Sequence, residues 1–345
     1  MSVTPLQRRV SVAPMMAFTD RHFRYLLRLV SPTTLLYTEM ITAQAVAHGA
    51  RARLLAYDAT EHPVALQLGG SAPRLLADAA CAGAALGYDE INLNVGCPSE
   101  RVQNGSFGAC LMADPGLVAD CLRAMTEAVP SDVPVTVKCR IGIDDRDDYA
   151  FFERFVRTVA ESGVRVFIVH ARKAHLSGLS PRENREIPPL RYEIPQRLRQ
   201  ERPDLTVVLN GGLRSVAQCR EWLPHFDGIM LGRQVCDDPW LLAELDAALL
   251  PGTTSPTRAG VVAQYADYVD RLLAEGHRPA SLLRHAQALF TGFPGARAWR
   301  RELSERSARG DADGSLLRGA LPALHAAASV GTAPRDVLQP ARTGT

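Results

Sequence analysis

The segment EINLNVGCPSERVQNGSFGACLM, residues 90–112, begins as an apolar strand and ends in a loop that glycines interrupt. Cys97 lies where the strand gives way to the loop, between a glycine and a proline. Asp114 follows the loop and is a good N-cap for the amphipathic stretch after it. The segment is therefore a strand–loop–helix unit, and the repetition of such units decides the fold.

Short β-branched runs alternate with amphipathic stretches from residue 9 to about residue 248. We predict eight strands, at 10–14, 34–38, 63–68, 90–94, 134–140, 165–170, 205–210 and 226–231. Helical stretches lie between them, at 20–30, 73–86, 115–129, 148–162, 190–201 and 215–223, with good N-caps at Asp20, Asp114 and Ser215. Eight such units predict an α/β fold, a (β/α)8 TIM barrel. A doubly wound sheet is the weaker alternative, because its first strand is usually followed by Gly-x-Gly-x-x-Gly and this chain has APMMAFTD there.

A small helical domain is predicted after the barrel. The linker-like cluster GTTSPT follows Pro251, and helical stretches follow it near 257–275, 279–291, 295–308 and 314–329. We therefore expect a barrel domain at 1–250 and a C-terminal helical bundle at 257–335. Residues 258–345 hold 12 Arg against 8 Asp plus Glu, a balance of +4 that leaves −2 for the rest of a chain of net charge +2. A mildly basic bundle permits an anionic partner.

The composition excludes several classes of protein. No apolar run approaches the ~18 residues that a membrane span needs, and MSVTPLQRRV lacks the apolar core of a signal peptide, so we expect a cytoplasmic protein. The seven cysteines show no Cys-x-x-Cys pair, which argues against a disulfide framework and against a metal site. Cysteines 81, 121 and 139 lie in apolar patterns and are predicted to fill the core.

Polar residues recur at the carboxyl ends of the predicted strands, where barrels place their functional groups. These residues are Gln67, Asn94, Cys97, Lys138, Arg140, His170, Arg172 and Asn210. Glycines follow strands 7 and 8, where barrels often bind a phosphate through backbone N–H groups, and Arg233 adds a charged donor. Met15 and Met16 would lie below the ring system of such a ligand. The arrangement suits flavin mononucleotide, FMN, and Lys138, one of two lysines in the chain, would stabilise the negative charge of the reduced ring.

Seven stretches resemble the tRNA-dihydrouridine synthases, most closely the A-type subfamily. They are APMMAFTDRHFR, VALQLGG, EINLNVGCPSERVQNGSFGACLM, VKCRIGID, VHARKAHLSGLSPRENREIPPL, LNGGL and GIMLGRQ. The resemblance implies an enzyme that uses FMN and NADPH to reduce uridines at positions 20 and 20a in the D-loop of tRNA. By the family pattern, FMN contacts fall on Pro14, Met15, Met16, Gln67, Lys138, His170, Asn210, Gly211, Gly212, Gly232 and Arg233. Hydride would pass from reduced FMN to uracil carbon 6, and Cys97 would donate a proton to carbon 5 as the general acid.

Substrate contacts are predicted in both domains. Asn94, His170 and Arg172 would meet the uridine, and Arg182, Arg185, Arg297 and Arg300 would meet the tRNA. Each of the last two pairs is three residues apart, which in a helix places both side chains on one face. Trp299 is predicted to belong to the core of the bundle. We expect a monomer that binds no metal and no membrane.

Two other readings keep the barrel but change its role. A small-molecule FMN ene-reductase, such as a dihydroorotate dehydrogenase, would have little use for a basic helical domain. A tRNA-binding protein with a vestigial flavin site would have no reason to retain both Cys97 and the full set of flavin-contacting residues.

Overall fold

The computed structural model describes residues 6–250, 252 and 255–319 of the chain. The chain divides into two compact units, and the boundary along the sequence lies between Pro256 and Thr257. Within the described residues, no helix combines the length and the hydropathy that crossing a membrane requires.

The first unit is a closed barrel of parallel strands. The strands are β1 Val10–Val12, β2 Leu35–Tyr37, β3 Ile41–Thr42, β4 Val64–Gly69, β5 Glu90–Val95, β6 Val135–Arg140, β7 Val166–His170, β8 Thr206–Asn210 and β9 Gly228–Leu231. β1 pairs with both β2 and β9, and β2 pairs with β4, which closes the ring. The short β3 pairs with the end of β4, as β2 pairs with its beginning, so β2 and β3 together occupy one strand position of the barrel. The predicted eight-stranded TIM barrel is therefore confirmed.

Helices surround the barrel strands and follow most of them. They are α1 Arg21–Val30, α2 Ala43–His48, α3 Arg51–Leu54, α4 Pro73–Ala85, α5 Glu100–Asn104, α6 Pro115–Ala128, α7 Tyr149–Ala160, α8 Glu193–Glu201, α9 Val216–Trp222, α10 Arg233–Asp237 and α11 Leu241–Leu249. The predicted N-caps hold: the side chains of Asp20, Asp114 and Ser215 each accept a backbone N–H of the first turn. The short helices α2, α3, α5 and α10 were not predicted, because a few residues carry too little periodicity.

The second unit contains α12 Arg258–Ala274, α13 Pro279–Leu283, α14 Ala296–Arg309 and α15 Gly314–Gly319. The prediction of one helix over 279–291 is wrong, because α13 gives way to a 3-10 turn at His285–Ala288. Tyr265 donates to the carbonyl of Leu282 and Trp299 to that of Ala286, so side chains take acceptors that a continuous helix would use. Trp299 is buried, as predicted. The predicted helical residues beyond 319 lie outside the described residues.

The interior of the barrel has an apolar side and a polar side. Ala13, Leu35, Tyr37, Ala65, Ile168, Val208 and Met230 form a buried apolar cluster. The other side, on β4 to β6, holds the buried polar residues Gln67, Glu90, Asn92 and Thr136. Of the cysteines predicted to fill the core, Cys121 and Cys139 are buried, but Cys81 is exposed on α4.

A buried arginine joins α1 to the segment before β4. The Arg28 guanidinium donates to the carbonyls of Ser31, Thr34, Glu61 and Pro63 at 2.7–3.3 Å. Burial lowers the pKa of Arg28 to about 10, although Asp246 and other acidic groups counteract the shift. The guanidinium therefore satisfies four carbonyls that water reaches poorly.

We predict that Arg28→Met lowers the free energy of unfolding by at least about 3 kcal/mol, because several buried carbonyls lose their donor at ~1 kcal/mol or more each. Urea denaturation followed by circular dichroism measures this change. Arg123→Met is the control, since Arg123 is exposed and pairs with the exposed Asp120, and we expect a change under about 0.5 kcal/mol. Equal losses in the two variants would contradict the role of Arg28.

Candidate active site

The parallel register places the predicted site residues in one row at the carboxyl ends of neighbouring strands. Asn94 on β5 is the register partner of Lys138 on β6, and His170 on β7 is the partner of Asn210 on β8. Gln67 on β4 joins the row through its side chain, because Asn94 Nδ2 donates to Gln67 Oε1 at 2.8 Å. The structure therefore brings together residues that are more than 140 positions apart in the sequence.

The loop after β1 presents the two methionines. Met15 packs against the apolar cluster of the barrel, whereas Met16 is 58% exposed. Thr19 fixes the turn, since its hydroxyl accepts the N–H of Met15 at 2.9 Å. Glu39 accepts the N–H of Ala17 at 2.6 Å, and Ala17 has a φ of 66°. No pattern in the sequence indicated these supporting roles of Thr19 and Glu39.

The glycines after β8 and β9 leave backbone donors without a protein partner. Gly211 and Gly212 have φ values of 114° and 72°, a region that favours glycine. A Cβ on Gly211 would lie 2.6 Å from Cδ2 of His170, so the backbone passes close to the imidazole. Within the described part of the chain, the N–H groups of Gly211, Gly212, Gly232 and Arg233 donate to no protein atom. Four such donors, on two adjacent loops, can receive an anion.

Arg233 has a protein partner that the sequence did not predict. Its Nη1 lies 2.6 Å from Oε1 of Glu186, in the loop after β7. Glu186 also lies 3.5 Å from Nε of Arg182, which is 79% exposed. Contact with Arg233 lowers the pKa of Glu186, with Arg182 adding to the effect, so Glu186 is ionised at neutral pH.

In the loop after β5, hydrogen bonds to the backbone of Cys97 fix its position. Oδ1 of Asn94 accepts the N–H of Gly96 at 3.1 Å and of Cys97 at 3.0 Å, and Ala109 N donates to the Cys97 carbonyl at 2.9 Å. Gly108 has a φ of 79°, and a Cβ there would lie 2.5 Å from the same carbonyl. The Cys97 thiol is partly buried, with Oγ of Ser99 at 3.5 Å.

Positively charged side chains surround this thiol on the rim of the barrel, the edge formed by the carboxyl ends of its strands. Burial lowers the pKa of Lys138 to about 8, and Arg140 adds to the shift. Burial also lowers the pKa of His170 well below its ordinary value, with Arg140 and Lys138 as the nearest charges, so its imidazole is neutral at pH 7. Lys138, Arg140 and Arg185 all interact electrostatically with Cys97. Such a rim attracts anions.

Arg140 lies at the end of β6 and joins two loops. Its guanidinium donates to the carbonyl of Gly96 at 3.0 Å, and to the carbonyls of Lys173 at 2.7 Å and Asn184 at 3.0 Å. The sequence placed Arg140 among the polar residues at the strand ends, but we predicted no contact or role for it. The signal was present, because Arg140 ends a strand and is the register partner of His170.

The predicted tRNA contacts have different surroundings. Arg172 Nη1 donates to the carbonyls of Glu186 and Pro188, and its Nε is buried without a hydrogen-bond partner. Arg185 lies near the thiol and Arg233, whereas Arg182 extends into solvent. Arg297 and Arg300 are exposed on α14 of the helical unit.

No potential metal site occurs in the part of the chain that the structure describes, since no group of three or more His, Cys, Asp or Glu side chains converges there.

The sequence is similar to proteins of one family. A family model described as dihydrouridine synthase (Dus) matches residues 11–326. A tRNA-dihydrouridine(20/20a) synthase from Xanthomonas axonopodis pv. citri is 54% identical over 313 residues, which cover 91% of this chain and 93% of the relative. Proteins of the same name from Salmonella typhi and Synechocystis are 53% and 52% identical and are covered over 94% and 95% of their lengths, which match 91% and 93% of this chain.

Two solved structures share the barrel. A 2-naphthoyl-CoA reductase complex has a TM-score of 0.52 at 11% identity and covers 69% of this chain and 50% of its own. Morphinone reductase in complex with tetrahydroNAD has a TM-score of 0.51 at 12% identity and covers 73% of this chain and 90% of its own. At these identities the likeness concerns the fold alone. The match of the family model to most of the sequence goes further: the chain belongs to the dihydrouridine synthase family.

Proposed function

We propose that this protein reduces uridines 20 and 20a in the D-loop of tRNA to dihydrouridine, with FMN as cofactor and NADPH as reductant. The observation that carries the proposal is the thiol of Cys97 on the same rim as a group of cations and four backbone N–H groups that have no protein partner among the described residues. The names of relatives that are 52–54% identical support the substrate.

The residues at the rim fit FMN. The N–H groups of Gly211, Gly212, Gly232 and Arg233 would receive its phosphate. Pro14, Met15 and Met16 would support the ring, and Gln67, Lys138, His170 and Asn210 would line its edge. Asn210 is already oriented, because its Nδ2 donates to the Met230 carbonyl at 2.8 Å.

Bound flavin would supply hydride to uracil carbon 6, and the residues of the chain would manage the resulting negative charge. Cys97 would give its proton to carbon 5, which leaves a thiolate. Lys138, Arg140 and Arg185 are close enough to stabilise that thiolate. Among the described residues, none of the three donates a hydrogen bond to Sγ, so no cation is paired directly with the sulfur before the proton moves.

The uracil contacts that we propose use donors that have no protein partner among the described residues. Oδ1 of Asn94 already accepts two N–H groups, so Asn94 offers a ligand only its second Nδ2 hydrogen. Asn94 would therefore donate to an oxygen of the uridine. The buried Nε of Arg172 is a second donor without a protein partner, and such donors are rare in folded proteins.

The two domains would divide the task. Residues 1–250 would bind FMN and carry out the reduction, and the helical residues 257–335 would bind tRNA through Arg297 and Arg300, with Arg182 and Arg185 on the barrel. The uridine must leave its stack, because stacked bases expose no face to hydride. A tRNA substrate implies a cytoplasmic enzyme, and we keep the prediction of a monomer.

Deleting the gene tests the function directly. Dihydrouridine at positions 20 and 20a of tRNA should disappear and should return when the gene is restored, as measured by sequencing that maps dihydrouridine. Retention of both sites after deletion would contradict the proposal.

We predict that Gly211→Ala weakens FMN binding, because the new methyl group meets the His170 ring and the φ of 114° strains the backbone. FMN affinity, measured by fluorescence quenching, should fall at least about tenfold, or ~1.4 kcal/mol. Gly163→Ala is the matched control, since Gly163 has a φ of 97° with nothing within 4 Å of the added Cβ. It should cost stability but leave FMN binding unchanged.

We predict that Cys97→Ala slows dihydrouridine formation by ~100-fold or more while flavin reduction by NADPH keeps its rate, because only the proton donor is lost. Stopped-flow absorbance separates the two half-reactions. Cys110→Ala, which removes the other thiol of the same loop, should leave both rates unchanged. An unchanged second half-reaction in Cys97→Ala would remove the thiol from the mechanism.

We predict that replacing Arg297 and Arg300 with Met weakens tRNA binding and lowers the salt slope of log K by about 1–2, since each phosphate contact releases counterions. Binding is measured across a salt titration. The control replaces Arg154 and Arg157, an exposed pair with the same spacing on α7, and should leave the slope unchanged.

A further inference from the structure

A continuous chain of side-chain hydrogen bonds runs through the polar side of the barrel. Thr136 Oγ1 lies 2.6 Å from Oε1 of Glu90, and Asn92 Nδ2 lies 2.8 Å from Thr136 Oγ1. Gln67 Nε2 lies 2.8 Å from Asn92 Oδ1, and Asn94 Nδ2 lies 2.8 Å from Gln67 Oε1. Glu90, Asn92 and Asn94 alternate along β5 and therefore face the same interior. The five side chains connect the buried carboxylate to the rim.

The chemistry of Glu90 fixes the direction of every bond in this chain. An ionised carboxylate only accepts, so the Thr136 hydroxyl must donate to it and must accept from Asn92. Asn92 then has its oxygen directed to Gln67, whose nitrogen donates. Gln67 in turn has its oxygen directed to Asn94. The orientation of each amide thus follows from the group before it.

The other end of the chain demands the same direction. Oδ1 of Asn94 accepts the backbone N–H groups of Gly96 and Cys97, which only donate. If the amide of Asn94 were reversed, its NH2 group would face two N–H donors. An acceptor at one end and donors at the other therefore leave one consistent arrangement of all four intermediate side chains.

Glu90 forms an ion pair with Arg8 and accepts hydrogen bonds on both of its oxygens. Arg8 Nη2 lies 2.6 Å from Oε2, and the Tyr37 hydroxyl lies 2.5 Å from Oε1. Burial raises the pKa of Tyr37, and the charge of Glu90 raises it further, so Tyr37 remains a donor. Glu90 itself is fully buried, at 0% exposure. Arg8 on one oxygen and the hydroxyls of Tyr37 and Thr136 on the other therefore offset part of the cost of burying this carboxylate.

We propose that Glu90 is a positioning residue of the active site, which orients the amides of Gln67 and Asn94 through Thr136 and Asn92 and so fixes the backbone of Cys97. The effect of Glu90 on catalysis rests on the proposed function, whereas its effect on the backbone of Cys97 does not. Glu90 makes no contact with Cys97, and the effect travels through four side chains. β5 therefore begins with Glu90 and leads into the loop that carries Cys97.

Hydrogen exchange of the Gly96 and Cys97 amides tests the coupling without any enzymatic assay. In Glu90→Gln the new amide can donate to Thr136, which allows the chain to reverse and Asn94 to release both N–H groups. In Thr136→Val the chain is broken outright. We expect both amides to exchange about fivefold to tenfold faster in each variant, the loss of roughly one hydrogen bond.

Two controls separate coupling from general destabilisation. Thr136→Ser keeps the hydroxyl and should keep the exchange rates of the wild type. Glu61→Gln makes the same chemical change at another fully buried carboxylate, which pairs with Arg24 at 2.6 Å, and should leave the Gly96 and Cys97 amides unaffected. Unchanged exchange in Glu90→Gln and Thr136→Val would overturn the proposal, and so would equal acceleration in Glu61→Gln.

A functional readout then links the coupling to the reaction. Glu90→Gln and Thr136→Val should slow dihydrouridine formation, and Thr136→Ser should keep the rate of the wild type. If the wild-type protein formed no dihydrouridine while the exchange results held, the proposed function would fail and the positioning role of Glu90 would stand.

Discussion

Parallel closure of the eight strands is the constraint on which the rest of the molecule depends. Every strand runs in the same direction, so every carboxyl end reaches one rim. Gln67, Lys138, His170 and Asn210 meet there although each belongs to a different strand. The same closure leaves an interior that side chains must fill. The chemistry at the rim therefore rests on whatever fills the barrel below it.

That filling differs beneath the two parts of the site. Met15 packs on the apolar cluster, which has no hydrogen bonds to direct and would support the flat ring of the proposed FMN. The loop of Cys97 lies above the polar side. Each buried polar group there needs a hydrogen-bond partner, so the orientation of each amide matters. An apolar interior would pack the thiol loop equally well. It would not specify which atoms of Gln67 and Asn94 face the ligand.

The sequence was sufficient for the barrel, since eight strands and their carboxyl ends follow from periodicity and from the spacing of helices. It also located Cys97 and the glycines, because their places at strand ends are a local property. It could not supply the partners that tertiary structure selects. The contact of Glu186 with Arg233 and the split of the stretch 279–291 both depend on side chains distant in sequence. Arg182 and Arg185 looked equivalent in sequence, yet only Arg185 lies near the thiol.

Two side chains cross-link the loop of Cys97 to the loop after β7. Arg140 holds the carbonyl of Gly96 together with that of Lys173, and Gln103 Nε2 holds the carbonyls of Pro98 and Leu176 at 2.8 and 2.6 Å. Neither loop can move away without breaking bonds to the other. Displacement of one loop would therefore pull on the other, so under the proposed function the pocket for the uridine would be bounded by two coupled loops.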